Sequence, residues 1–241
     1  ILKGGQLPRL INQANIYTLI ISDVPGDQLD VIASGPTVAD RSTYREAMDV
    51  LKKYDLKGQI PASIFSHLEE GLKGTFNETP KESDPIFEHV FNKIIGNNTK
   101  ALEAARIHLE EKGYTVEANH KLISGDCEAE VMDLLDKTLR QTNADMFCYL
   151  QGGETTVKHS GEGMGGRNQH FVLYALWKLL TDFSSQGHSK ITVFSFGTDG
   201  SDGPTDANGA WACNCDPHNL EEVAHFVKSH NSYLYFEKYG G

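Results

Sequence analysis

Three glycine-rich, acidic segments follow apolar runs in this chain: SDVPGD at 22–27, QGGETT at 151–156 and GTDGSDGPTD at 197–206. In open α/β sheets, ligands bind at the carboxyl ends of strands. Glycines there let backbone N–H groups come close to a ligand. Neighbouring carboxylates can hold Mg²⁺ or orient a hydroxyl. One such segment alone reads as a turn, because Gly and Asp favour turns; three in one chain point to a site. Asp199, Asp202 and Asp206 form an acidic group that reads as Mg²⁺-binding or substrate-orienting, the alternative being a tight turn with solvated carboxylates. Arg167 stands at the start of a helical run from Asn168. Helix N-termini attract anions, and a forked guanidinium there suits phosphate; the plainer alternative is a surface Arg in a loop.

The segment GEGMGG at 161–166 fits G-x-G-x-x-G, a pattern that short Gly-rich stretches often match by chance. A strand-like TTVKH precedes it and a helix follows. Against a dinucleotide loop, that strand is polar, and no acidic residue ends a second strand about 20 residues on. The acidic segment at 197–210 fails as an EF-hand: aligning Gly209 to the loop glycine puts Pro204 at the first ligand and Cys215 at the bidentate position. No P-loop, H-E-x-x-H or G-x-S-x-G motif occurs. Cys213 and Cys215 form a C-x-C pair without a second pair, so structural thiols are expected rather than zinc. Cys148 reads as core. His67, His89, His108, His170 and His225 lie singly in helical runs and read as surface or core.

The elements that must position these groups alternate. Apolar runs at 16–21, 91–95, 114–118, 146–150 and 191–196 read as strands. Helical spacing appears after Thr43 and Glu46, which form a capping box, and from Pro61. It appears again after Asn98, ending at Gly113, and at 128–139, 168–180 and 220–227. Strand and helix in turn give an α/β class with mostly parallel sheets. The polar, punctuated stretch 71–85 reads as a long loop and a domain boundary.

Lys plus Arg number 22 against 33 Asp plus Glu, a net charge of −11 that disfavours nucleic acid as a partner. No apolar stretch approaches the ~20 residues of a membrane span. The start at Ile1 and the end at Gly240-Gly241 read as cuts inside a longer protein.

Four motifs occur in order: SDVPGDQLDVIASGPT at 22–37, GGETTV at 152–157, GGRNQ at 165–169 and GTDGSDGPTDANGA at 197–210. Together, with KGGQL at 3–7, they resemble the glycerate 2-kinase family, whose C-terminal portion is the MOFRL domain. The resemblance covers essentially the whole chain and implies two α/β domains with the active site in the cleft between them. In this chain these are residues 1–88, the remainder of a first Rossmann-like domain, and 89–241, a MOFRL-type domain. It implies transfer of the γ-phosphoryl of ATP to the 2-hydroxyl of D-glycerate, with a divalent metal such as Mg²⁺ and no nucleic-acid or membrane partner. The older reading of such proteins is an NAD(P)H-dependent hydroxypyruvate reductase; an inactive truncated product is a third.

Carried onto this sequence, the family's site makes Arg167 the phosphate-stabilising cation and Asp199 a proton acceptor or metal ligand, with Asp202 as a second metal ligand. Asp23, Ser34, Gly35, Gly152, Gly153, Glu154, Thr155, Gly165, Gly166, Asn168 and Asp202 become substrate or nucleotide contacts. The family's N-terminal half and its closing TGPT-like motif are not in this chain, and Asn208 stands where the family often has Ala. A cytoplasmic compartment is expected, or a mitochondrial one if a targeting peptide precedes Ile1.

Overall fold

The computed structural model describes residues 2–11, 14–141, 146–159, 162–184 and 190–241. The chain divides into two compact units, Ile1–Ala101 and Leu102–Gly241. It is α/β, with two of the three strand pairs among the described residues parallel.

The first unit is built on β1 (Ile16–Ile21) and β2 (Val90–Gly96), paired in parallel with Ile16 facing Val90. Before and between them lie α1 (Leu7–Leu10), α2 (Tyr44–Lys53) and α3 (Ala62–Leu72). The capping box at α2 forms as its sequence requires: the Glu46 N–H donates to Thr43 Oγ1 at 3.2 Å, and the Thr43 N–H donates to Glu46 Oε2 at 2.8 Å. One face of the strand pair turns Thr18 and Asn92 onto the buried Thr37, whose hydroxyl donates to Asn92 Oδ1 at 2.6 Å. The other face leaves Tyr17, Leu19, Ile21, Phe91 and Ile95 exposed.

Pairing with β1 places β2 in the first unit. The division by packing therefore falls inside α4 (Asn98–Glu111), later than the 88/89 boundary read from the polar loop. Strands hydrogen-bonded on either side of that loop hold it within one unit. The cap of α4 is Asn97, whose Oδ1 accepts the Lys100 N–H at 2.9 Å, one residue before the Asn98 expected.

The second unit continues with β3 (Thr115–Asp126), α5 (Cys127–Gln141), β4 (Phe147–Thr156) and α6 (Arg167–Thr181). It then runs through β5 (Thr192–Phe196), β6 (Gly209–Cys213), α7 (Leu220–Lys228) and α8 (Ser232–Tyr239). Strands β3 and β4 pair in parallel, and β5 and β6 form an antiparallel hairpin.

The core gathers on α6, where every residue from Gln169 to Leu176 is buried. Val131 and Leu135 of α5, Val193, Ala210 and Ala212 of the hairpin, Val223 and Val227 of α7, and Tyr235 and Phe236 of α8 pack on it. A helix apolar on all sides belongs inside a core, and each fully buried Leu, Val or Phe contributes about 1.5–3 kcal/mol.

Three local readings change. The stretch 151–156 is not a loop: β3 runs well past 118, and its second half pairs with Gly153, Glu154, Thr155 and Thr156. Helices α1 and α8 and strand β6 carry no clear sequence period. Cys148 is only partly buried, whereas Cys127 and Cys213 are buried. Among the described residues, no helix is long and apolar enough to cross a membrane.

Candidate active site

The site expected around Arg167 is built at the first turn of α6. Gly166 precedes the helix in extended conformation, with φ −113° and ψ 178°. The turn is closed by a carboxylate from elsewhere in the chain. Asp202 Oδ1 accepts the backbone N–H and the side-chain Nδ2–H of Asn168, both at 3.0 Å, and Oδ2 accepts the Gln169 N–H at 2.8 Å. A carboxylate at a helix N-terminus satisfies its orphan donors and opposes the positive end of its dipole. Asp202 is only 2% exposed, so these bonds form in a low-dielectric setting that strengthens them.

A polar network surrounds the cap. The Ser195 hydroxyl donates to Asn168 Oδ1 at 2.7 Å, which fixes the amide so that its nitrogen faces Asp202. Gln169 Nε2 donates to Thr205 Oγ1 at 3.2 Å, and the Thr205 hydroxyl donates to the Asp202 carbonyl at 2.8 Å. Ser195 and Thr205 escaped the sequence reading because isolated hydroxyls in a strand and a turn carry no motif.

Both Asp202 oxygens bond to helix donors, so Asp202 caps the helix start. Asn168 is committed to the same network. Gly166 lies against the Asp202 carboxylate, and a Cβ on Gly203 would sit 2.7 Å from the Gly165 carbonyl. A Cβ on Gly153, at φ +147°, would overlap the Ile123 backbone of β3. Gly153, Gly165 and Gly166 thus each allow a close approach of protein groups that a side chain would block. Gly152 lies in β4 beside the irregularity of the β3 pairing, and Thr155 is buried. Gly161 lies outside the described residues.

Arg167 and Asp199 remain open to a ligand. The Arg167 side chain is 44% exposed, and its guanidinium pairs with Glu154 Oε1 at 2.6 Å. That contact uses one of its five donors. Asp199 is exposed, and among the described residues its oxygens accept the Ser201 N–H at 3.3 Å and the Ser201 hydroxyl at 3.4 Å. A Cβ on Gly197 would lie 2.7 Å from Asp199 Oδ1 and 3.7 Å from Asn168 Nδ2, which places Asp199 beside the α6 turn. Asp206, the third member of the acidic group, accepts the Tyr233 hydroxyl at 2.8 Å.

Behind the helix start, Cys127 donates to the Arg167 carbonyl at 3.8 Å, and burial pushes its thiol up to about 12. Burial likewise lowers the basicity of His170 in the same turn, whose Nε2 lies 3.2 Å from Glu128 Oε1.

The remaining expected residues belong to the first unit and are described with it. Asp23 is exposed just after β1. Ala33, Ser34 and Gly35 follow one another at φ 51°, 61° and 56°, a left-handed run that is rare outside glycine. Their turn is held from outside: the Gly4 and Gly5 N–H groups donate to the Ser34 and Gly35 carbonyls at 2.9 and 2.8 Å. Ser34 and Gly35, with Lys3, Asp40 and Thr79, border a cleft of about 330 Å³.

Among the described residues no group of three or more His, Cys, Asp or Glu could hold a metal ion by itself. A Mg²⁺ carried on substrate phosphates needs only one or two protein carboxylates. The exposed Asp199 fits that requirement.

The MOFRL family matches residues 147–241, and a domain of unknown function, DUF4147, matches residues 1–69. The chain is 36% identical over 251 residues to a glycerate 2-kinase of Pyrococcus horikoshii, covering 99% of this chain and 54% of that one. It is 34% identical over 253 residues to a D-glycerate 2-kinase of Thermotoga maritima, covering 99% and 55%. The crystal structure titled glycerate kinase from Thermotoga maritima superposes with a TM-score of 0.78 at 30% identity, over 99% of this chain and 55% of that one. The chain thus spans about half the length of these relatives.

Proposed function

We propose that this chain, which resembles the glycerate 2-kinases from end to end, carries part of an enzyme that moves the γ-phosphoryl of ATP to the 2-hydroxyl of D-glycerate, giving 2-phosphoglycerate. The observation that carries the reading is the α6 turn: a half-exposed Arg167 on a helix start locked by Asp202, beside the exposed Asp199. Phosphoryl transfer asks for positioning and charge neutralisation more than covalent chemistry. Arg167 supplies a fixed cation for the transferring phosphoryl group. Asp199 accepts the substrate hydroxyl proton or holds a phosphate-bound Mg²⁺, which neutralises charge on the phosphates when bound. Asn168 and Asp202 hold the turn, and Glu154 holds the guanidinium. Contacts from Asp23, Ser34 and Gly35 belong to the same proposal.

The reductase reading needs 161–166 as a dinucleotide loop, and Gly165 and Gly166 instead face protein groups. ADP release with ATP, Mg²⁺ and D-glycerate tests the kinase reading, on this chain and on one extended to the relatives' full length. Glycerate-dependent release from the extended protein supports it. Silence there, together with nicotinamide oxidation on hydroxypyruvate, would overturn it.

A further inference from the structure

His230 stands in an unusual place. It follows α7 in left-handed conformation, φ +51°, as the turn residue after the helix end at Ser229. The His230 N–H donates to the Val227 carbonyl at 3.1 Å and the Asn231 N–H to the Phe226 carbonyl at 3.0 Å. This is the Schellman pattern, in which glycine is the usual left-handed residue. A histidine there lacks glycine's conformational ease.

The ring stacks on His170 of α6, with centroids 4.9 Å apart and planes at 24°. His170 is 2% exposed. Its Nε2 faces Glu128 Oε1 at 3.2 Å, so the neutral ring donates there and its Nδ1 carries the lone pair. The Nδ1 atoms of both His170 and His230 are buried without a hydrogen-bond partner. A proton taken up by His170 at Nδ1 therefore becomes a buried charged donor with no acceptor, against the parallel ring of His230. The other titratable groups around the pair are Glu128 on α5, Asp126 at the end of β3, Tyr174 on α6 and His159 after β4, whose ring meets His230 at 5.6 Å.

The same turn holds the glycine-rich segment that leads into α6. The Met164 N–H donates to Asn231 Oδ1 at 3.0 Å, and the Tyr233 N–H donates to the Met164 carbonyl at 2.9 Å. Gly163 lies so close to the Ser229 and His230 carbonyls that any Cβ would overlap them. The clasp therefore ties 163–166, and through it the Arg167 turn, to the stacked pair.

We infer that the His170–His230 stack is a proton-operated latch: neutral, it holds the 163–166 segment against the α7–α8 turn, and on taking up a proton in mild acid it lets that segment go. It acts on the mobility of the Arg167 turn whatever reaction the turn serves.

Amide hydrogen exchange of this chain, corrected for intrinsic rates, reads the latch at Met164 and Tyr233. Between about pH 7.5 and 5.5, both amides should lose protection by up to about tenfold, a larger loss than α5 and the β3–β4 pair show. His230→Gly suits the left-handed turn and removes the ring; His230→Asn is the second variant, since Asn also tolerates that conformation. Both should abolish the pH step. A step that survives in a folded variant, an absent step in the parent chain, or a loss spread evenly over the unit would each overturn the latch.

Discussion

Asp202 Oδ2 accepts the backbone N–H of Gln169 at 2.8 Å across 33 residues of sequence, so the start of α6 is capped by a side chain from the loop after β5. A cap borrowed from that distance makes the loop and the helix one mechanical piece. Asp202→Ala leaves two backbone donors and an amide of the turn unpaired in a buried setting. We expect a loss of about 3–5 kcal/mol in denaturant unfolding, since each buried donor left without an acceptor costs about 1–3 kcal/mol. Asp202→Asn keeps one acceptor oxygen and should lose about half of that. A near-neutral Asp202→Ala would remove the capping role.

Arg167→Ala in the extended protein should lower turnover by on the order of 10³ and leave unfolding stability within about 0.5 kcal/mol, because the side chain is half exposed. A fall in turnover below about tenfold, roughly 1.4 kcal/mol, would sink its assignment to the transferring phosphoryl.

Glu154→Gln should separate positioning from binding. The neutral amide keeps the shape but weakens the hold on Arg167. If Glu154 only aims the guanidinium, kcat falls and KM for ATP is steady or lower. A rise in KM with kcat unchanged would make Glu154 a direct nucleotide contact instead.

Acid should weaken the second unit through His170. The unfolded ring takes up its proton near pH 6.5, and burial makes the folded ring accept it only at lower pH. The unfolded state thus binds more protons below about pH 6.5. Stability is full above that value and falls as the pH drops toward the folded value. Melting temperatures at about pH 7.5 and 5.5 should differ more for the parent chain than for His170→Gln, which keeps a donor toward Glu128. Equal differences would discount His170.

The buried thiol of Cys127, pushed up to about 12, should resist alkylation near neutral pH in the folded chain, whereas the exposed Cys215 reacts. Mass spectrometry before and after denaturation checks the order. Early labelling of Cys127 would contradict its burial against α6.

Local signals were readable where they were local in origin. The run at 16–21 became β1 with the same bounds, because a β-branched apolar run favours extended backbone, and Thr43 with Glu46 made the expected capping box, because a three-residue cap needs no distant partner. Arg167 at a helix start was readable for the same reason. The QGGETT segment was not: its glycines signal a turn, yet a strand forms because the long edge of β3 lies alongside it. The role of Asp202 was equally hidden, since an acidic residue among Gly and Pro looks the same whether it faces solvent or a helix start 33 residues away. The His170–His230 stack joins two singly placed histidines that only the packing of α6 and the α7–α8 turn brings together.

The continuation of β4 through Thr156 has a consequence for recognition. Glu154 sits on a paired strand and Arg167 on the first residue of a helix, so neither backbone has freedom to lose when an anion arrives. In the proposed site, the guanidinium would exchange Glu154 for the anion without reordering its support. The entropy of arranging a flexible loop, which commonly weakens anion capture, has already been met during folding.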